Sequence, residues 1–354
     1  EALPKGGGMA AVGIPDYRLP KNILEHEVEL IRNLGADIQY NRKVSKLDMD
    51  ELTAQGFKAI FLGVGAHEGT KMGCKGEDAG YEGFIDGAVF LRDLALGKPL
   101  EPKGKVVIVG GGNVAMDCAR SCARLGFKDV EILYRRTRKE MPARAEEVDE
   151  ALEEGIKIRY LVAPVSVLAD GNKAKGVECI RMKLGEPDSS GRRRPVPVKG
   201  SEFKVKADLV IPAIGQKPDL GFAKDVIQVT GWGTVEVNPE TLRTNLEGVF
   251  AGGDCVSGPA TLIEALDAGN KVARSIDAYL QGRTVEPEVS FKGIDVKAQR
   301  TEGFIDACPQ ETASLLDPKV RVKNFAEVEG PFSNIAAMKE ANRCLRCYRL
   351  VVWE

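Results

Sequence analysis

Lys105-Val-Val-Ile-Val-Gly-Gly-Gly-Asn-Val-Ala-Met-Asp117, followed by Val130-Glu-Ile-Leu-Tyr-Arg-Arg136, is the stretch that decides the reading of this chain. Lys105 to Val109 reads as a buried parallel strand, and the glycines as a tight turn into a helix that opens near Asn113. Gly110, Gly112 and Ala115 fit the G-x-G-x-x-G/A pattern at a strand-to-helix junction. The first glycine makes the turn. The second lets a pyrophosphate approach the backbone. The small third residue lets helix and strand pack closely. Asn113 and Val114 then lie in the helix N-terminus, where free N–H groups and a partial positive charge suit phosphate oxygens.

A lone glycine fingerprint is weak evidence. Here a second strand ends at Tyr134, about where the pattern expects its ribose reader. An Asp or Glu there would bind the ribose 2′-hydroxyl of NAD. Arg135 and Arg136 stand there instead. Guanidinium groups fork onto phosphate oxygens, so the pair suits the 2′-phosphate of NADP. The bland reading of the same residues is a glycine turn with a solvated basic loop beyond it. The order strand, turn, helix, strand, arginines favours the nucleotide.

Composition sets the class. The 354 residues are 43% hydrophobic and 29% charged, enough for two soluble domains and a tail. A net charge of −2 and a pI near 6.0 give no basic field for nucleic acid. Arg192, Arg193 and Arg194 read as a solvated hairpin loop. No apolar run is long enough to span a bilayer, and no signal peptide is visible. The eight cysteines are scattered, which does not describe a disulfide-stapled secreted domain, and a reducing cytoplasm is the expectation. The chain opens at Glu1 without a methionine, so its natural N-terminus is expected upstream.

Periodicity places helices over 21–34, 49–55, 85–97, 113–125, 143–154, 260–280 and 334–343. Strands are expected at 38–40, 59–64, 105–109, 129–134, 208–214 and 248–251. An antiparallel insert is expected from strands near 156–168, 175–184 and 202–206, with Asp170-Gly171-Asn172 its clearest turn.

These motifs together resemble the small (beta) subunit of NADPH-dependent glutamate synthase and its relatives among the two-dinucleotide-fold flavoprotein reductases. The resemblance rests on Glu1-Ala-Leu-Pro-Lys-Gly-Gly-Gly8, Gly13-Ile-Pro-Asp-Tyr-Arg-Leu-Pro20, Phe61-Leu-Gly-Val-Gly-Ala-His67 and Gly110-Gly-Gly-Asn-Val-Ala-Met-Asp117. It continues through Tyr134-Arg-Arg136 with Glu140-Met-Pro-Ala143, Ala213-Ile-Gly-Gln216, and Gly252-Gly-Asp254 with Gly258-Pro-Ala-Thr261. It covers residues 1 to about 282.

The resemblance implies an α/β fold with two Rossmann-like dinucleotide-binding domains. An NADPH domain, 98–245, is inserted in a discontinuous FAD domain, 1–97 with 246–282, and a C-terminal extension, 283–354, follows. It also implies roles. Glu1 would bond the adenosine ribose of FAD, and Gly6 and Gly7 would let backbone approach the flavin side of the cofactor. Arg18 and Leu19 would lie near the isoalloxazine. Gly65 and Gly215 close strand ends that pass the cofactors. Gly253 and Asp254 would meet the ribityl–pyrophosphate region, and Thr261 would open a helix whose dipole favours negative charge on the reduced flavin. The family's first strand, glycine loop and helix for FAD would precede Glu1, so FAD binding by residues 1–354 alone is expected to be weak.

Cys118 and Cys122 are four apart, not the redox Cys-x-x-Cys of disulfide reductases, and read as small buried hydrophobes. His26 and His67 have no catalytic or metal constellation around them. Cys344-Leu-Arg-Cys347 is half of a zinc or iron–sulfur site, and Cys308, a partner or further chain would have to complete it. The expected function is an NAD(P)H-dependent flavin oxidoreductase subunit that feeds an iron–sulfur protein or larger redox subunit. Its cofactors would be FAD and NADP, and it would need no side-chain general base. Two other readings stay open: a ferredoxin-linked reductase subunit, and a nucleotide-binding scaffold without flavin turnover.

Overall fold

In the computed structural model, residues 1–98, 100–188, 191–285 and 309–343 are described. Cys308, Cys344 and Cys347 lie outside them. The first stretch holds α1 (Gly8–Val12), α2 (Lys21–Asn33), α3 (Met49–Ala54), β1 (Ile60–Leu62), β2 (Glu68–Gly69) and α4 (Gly87–Ala95). The glycine fingerprint follows in β3 (Lys105–Val109) and α5 (Asn113–Leu125), then β4 (Asp129–Tyr134), α6 (Ala145–Glu153) and β5 (Lys157–Tyr160). The insert is β6 (Val162–Asp170), β7 (Lys173–Pro187), β8 (Arg193–Pro197) and β9 (Phe203–Lys206). The chain continues through β10 (Leu209–Pro212), β11 (Gln216–Lys217), β12 (Val249–Ala251), α7 (Asp254–Ser257) and α8 (Leu262–Leu280). The extension contributes α9 (Pro318–Arg321) and α10 (Asn334–Asn342).

The central sheet is parallel, in the order β10-β3-β4-β5. Its strands are apolar on both faces, as a parallel sheet covered on both sides requires. Val106 and Ile108 face a core with Met116, Ile132, Val148 and Ile211, beneath the helices. Val107 and Val109 face the other way, against Leu133, Val177, Val205 and Val210. The antiparallel insert covers that second face, β7 pairing with β6, β8 and β9.

Expectation and structure part at several places. The apolar run 156–168 is two strands, because Leu161 turns the backbone with a φ of 57°. Residues 38–40 form no strand; the backbone of Asn41 and Arg42 instead donates to Leu3 and Glu1 carbonyls. The 208–214 strand stops at Pro212, with the Ala213 amide making one last bond to the Val109 carbonyl at 2.7 Å.

A second, smaller parallel pair joins β1 to β12, Ile60 opposite Val249 and Leu62 opposite Ala251. Its core holds Leu47, Leu62, Ile227, Val235, Val249 and Cys255. The two units meet through β2 and β11, an antiparallel pair with Gln216 opposite Gly69. Gln216 also donates through Nε2 to the Ala66 carbonyl at 3.2 Å, tying this crossing to the end of β1. Among the described residues no helix is long and apolar enough to cross a membrane.

Candidate dinucleotide sites and the charged strut between them

The glycine loop is shaped by steric need. Gly110 has a φ of 152°, and a Cβ there would sit 2.1 Å from the Ala213 carbonyl oxygen. A Cβ on Gly111 would lie 2.5 Å from the Tyr134 ring. Tyr134 is buried, and its hydroxyl donates to the Glu140 carbonyl at 2.6 Å. Gly112, by contrast, faces open space, with Pro142 at 3.8 Å the nearest atom to an added Cβ. Among the described residues, no carbonyl accepts from the amides of Gly112, Asn113 or Val114. Ala115 is fully buried against the sheet. The Asn113 side chain accepts from the Arg144 amide at 3.2 Å, which closes the loop after Met141 over the helix start. Open backbone donors above a 13-residue helix fit a pyrophosphate.

At the end of β4 the two arginines differ. Arg135 is exposed and makes no hydrogen bond or ion pair among the described residues. Arg136 is only 6% exposed, and its guanidinium is held by Asp188 and by the Arg193 carbonyl, each at 2.8 Å. The Arg192–Arg194 run lies at the β7–β8 hairpin with Arg193 and Arg194 exposed, as the sequence suggested, and the Arg193 backbone carbonyl together with Asp188 also holds Arg136. Gly215, with a φ of 135°, stands just before β11, near Thr70.

The other candidate site lies at the carboxyl ends of β1 and β12, where ligands of open parallel sheets bind. Gly65 (φ 67°) and Gly253 (φ 71°) turn the two loops there, and the buried Cys255 thiol donates to the Leu62 carbonyl between them. Asp254 accepts from the Ala260 amide at 3.3 Å, and burial pushes its carboxyl up. Thr261 caps the 19-residue α8 in a reciprocal box with Glu264, whose Oε2 accepts from the Thr261 amide at 2.8 Å. Gly7 (φ 103°) lies against Leu24, and Gly6 against Val28, so α2 packs where side chains would clash. Glu1 is exposed and accepts from the Leu3 amide at 2.8 Å. Glycine backbone, one carboxylate and a long helix N-terminus fit FAD; Gly65, Gly253, Asp254 and Thr261 are the residues that would hold it.

Residues 3–269 match the model of the pyridine nucleotide-disulphide oxidoreductase family. The chain belongs to this family. It is 49% identical to the beta subunit of the NADP(+)-dependent formate dehydrogenase of Moorella thermoacetica, over 99% of this chain and 51% of that protein. It is 35% identical to the glutamate synthase [NADPH] small chain of Azospirillum brasilense, over 79% of this chain and 61% of that one. The likeness expected from the motifs is therefore found. The chain spans about half the length of the formate dehydrogenase subunit. Among solved structures, Mycobacterium tuberculosis FprA in complex with NADPH superposes with a TM-score of 0.63 at 17% identity, covering 80% of this chain and 77% of that one. That likeness shows the two-unit α/β fold.

A buried charge network that motif reading did not find joins the loop before α2, α5, α6 and the extension. Arg18 donates to both oxygens of Asp117 at 2.9 Å, and its Nε lies 2.9 Å from Glu147. Leu19, beside it, gives its carbonyl to Lys21, whose ammonium is half-buried among loop carbonyls. Arg120 reaches Glu147, Glu150 and Glu154, and Arg124 also holds Glu154. The Tyr17 ring lies under both guanidinium groups, 4.7 Å from Arg120 and 3.9 Å from Arg124. From the extension, Arg321, only 1% exposed, completes the set with Glu153 and Glu154. The Val328 amide donates to the Tyr17 carbonyl at 3.0 Å. Cys118 and Cys122, on the buried side of α5, form no disulfide, and burial raises both thiols. Among the described residues no cluster of His, Cys, Asp or Glu could hold a metal.

Proposed function

We propose that this chain is the electron-input unit of a larger redox assembly, taking hydride from NADPH and delivering electrons to an iron–sulfur partner. The observation that carries the reading is the pair of sites itself: a glycine loop with open helix amides and an unpaired Arg135, and a second dinucleotide-type site at the carboxyl ends of β1 and β12. Gly110 to Val114 would hold the NADP pyrophosphate, and Arg135 the 2′-phosphate. Gly65, Gly253, Asp254 and Thr261 would hold FAD, with Glu1 at its adenosine ribose and Gly6 and Gly7 along its flavin side. When bound, FAD supplies the exchange between hydride transfer and one-electron steps. The chain's own residues bind and orient the two rings, and the Arg18–Asp117 contact fixes one site relative to the other.

The residue domains are proposed as 1–97 with 246–282 for FAD and 98–245 for NADP. Cys344 and Cys347 are proposed to give half of a cluster site that a partner completes, so iron and sulfide should appear with the assembly rather than with the isolated chain. All five described cysteines are free and buried, which suits a cytoplasmic setting. The relatives named as a beta subunit and a small chain support a place in a larger complex. The test is anaerobic reduction of the purified assembly by NADPH and by NADH, followed by flavin absorbance. Faster bleaching with NADPH, and reduction of an iron–sulfur partner in step, are expected. An assembly without flavin, or equal use of both nucleotides, overturns the reading.

A further inference from the structure

Arg136 is adjacent to the proposed 2′-phosphate reader but points into protein. Its Nη2 donates to Asp188 Oδ2 and its Nε to the Arg193 carbonyl, both at 2.8 Å, on the loop between β7 and β8. The loop is closed on itself: the Asp188 amide donates to the Arg192 carbonyl at 2.8 Å, and the Gly191 amide to the Asp188 carbonyl at 2.9 Å. Arg193 turns its guanidinium back onto the Leu184 and Gly185 carbonyls. The Arg136 carbonyl accepts from the amide of Leu161, and the Leu161 carbonyl from the amide of Met182 on β7. Leu161 carries its φ of 57° at this junction. L side chains rarely adopt that conformation, and it persists where neighbours over-determine it. The end of β4, the β5–β6 junction, β7 and the arginine loop are therefore one hydrogen-bonded unit.

Charge gives this unit a direction. Residues 157–206 contain twelve Lys or Arg and five Asp or Glu, in a chain whose net charge is −2. Asp188 is the loop acid closest to the β4 arginines, and its charge is cancelled by Arg136. A free carboxylate there would repel a phosphate, whereas a paired one leaves the positive charge of the loop uppermost.

We propose that Asp188 is a specificity-determining positioning residue: by gripping Arg136 it holds the arginine loop against the end of β4, so that Arg135 and the loop present positive charge to the 2′-phosphate of NADP. The proposal rests on the NADP reading above. It distinguishes NADP from NAD through a residue more than fifty positions from the glycine fingerprint's own reader.

The test is calorimetric titration of 2′,5′-ADP and 5′-AMP, which differ only in the 2′-phosphate, against the wild-type protein, Asp188→Ala and Asp188→Glu. Thermal unfolding of each variant is measured alongside. Asp188→Ala is expected to lose at least tenfold in affinity for 2′,5′-ADP and less than twofold for 5′-AMP. Asp188→Glu is expected to recover most of the loss. If Asp188→Ala does not fold, Asp188→Asn carries the same comparison. Parallel loss for both ligands would make Asp188 a general structural tether and overturn the proposal, as would an unchanged preference. A wild-type protein that binds both ligands equally overturns the NADP reading and this inference with it; a wild-type preference that survives in the variants overturns this inference alone.

Discussion

Arg18 donates to both carboxylate oxygens of Asp117 at 2.9 Å, across 99 residues of sequence, and so ties the loop before α2 to the helix that opens the glycine fingerprint. Asp117 sits two residues beyond Ala115, on the first turns of α5, and is 3% exposed. Together with the Arg18–Glu147 pair and the Tyr17 ring under Arg120 and Arg124, this pair couples that loop to the helix after the glycine loop.

The pair sets a pH dependence. Burial pushes the Asp117 carboxyl up to about 6, with Arg18 pulling it down by less. The folded state thus binds a proton more tightly than the unfolded state. This contribution to stability falls as pH rises from the ordinary carboxylate range through 6, and is then constant. The cost at pH 7 is on the order of 3 kcal/mol. Asp117→Asn is expected to flatten the stability profile between pH 4 and about 6, measured by urea unfolding across that range. A steep wild-type-like slope in the variant would show that other groups carry it.

Glu154 is the centre of the strut, its side chain fully buried and shared by Arg120, Arg124 and Arg321. Burial works to raise its pKa, but hydrogen bonds from Arg124 and Arg120 outweigh it and hold the carboxyl below the usual range. Its contribution is present above the unfolded pKa and lost as pH falls through the lower folded one. Glu154→Gln takes a carboxylate from three guanidinium groups, of which Arg120 keeps Glu147 and Glu150 and Arg321 keeps Glu153 while Arg124 keeps none among the described residues, and it should cost about 3–5 kcal/mol. Arg321→Met removes only one of the three and replaces it with an apolar chain of similar length. It should cost less and chiefly release the extension, raising the rate of tryptic cleavage within 309–343. Equal destabilisation by the two variants would refute this ranking.

The glycine loop gives a steric prediction. Gly111→Ala places a methyl group 2.5 Å from the Tyr134 ring, which is pinned by its hydroxyl to Glu140. Overpacking of this kind costs about 1–3 kcal/mol. Gly112→Ala meets nothing closer than 3.8 Å, so stability should be kept while NADPH binding falls, because the methyl occupies the side where phosphate would approach. Tm and NADPH affinity, measured together, separate the two variants. Loss of Tm in Gly112→Ala with binding intact would contradict the assignment of the open side.

The parallel sheet was legible because its strands are short apolar runs with glycine at their ends, and the glycine loop was legible because its spacing is tied to one local geometry. Arg135 and Arg136 were read as a matched pair, since sequence shows residue type and not direction; only the hairpin, folding back from Asp188, separates them. Asp117 lay within a quoted motif, yet its partner Arg18 is remote in sequence. Glu154 and Arg321 gave no signal at all, because a buried arginine and a solvated one look alike in a charged sequence. What periodicity reveals is the apolar core; what it hides is the polar network that spans elements.

The adjacent arginines should therefore fail in different ways. Arg135 is exposed and makes no hydrogen bond or ion pair among the described residues, so Arg135→Ala should leave Tm within about a degree, as surface substitutions usually do. NADPH binding should weaken tenfold or more, because a charge-assisted hydrogen bond contributes about 1.5–3 kcal/mol. NADH binding should not change. Arg136→Ala leaves Asp188 without its guanidinium and the Arg193 carbonyl without a donor, so it should lower Tm as well as NADPH affinity. Raising the salt concentration should weaken NADPH binding to wild type more than to Arg135→Ala, because the exposed contact is screened. Nucleotide titrations at two ionic strengths, with unfolding curves on the same samples, make the comparison. If Arg135→Ala binds NADPH as wild type does, the 2′-phosphate is read elsewhere and the exposed arginine at the end of β4 is only solvated surface.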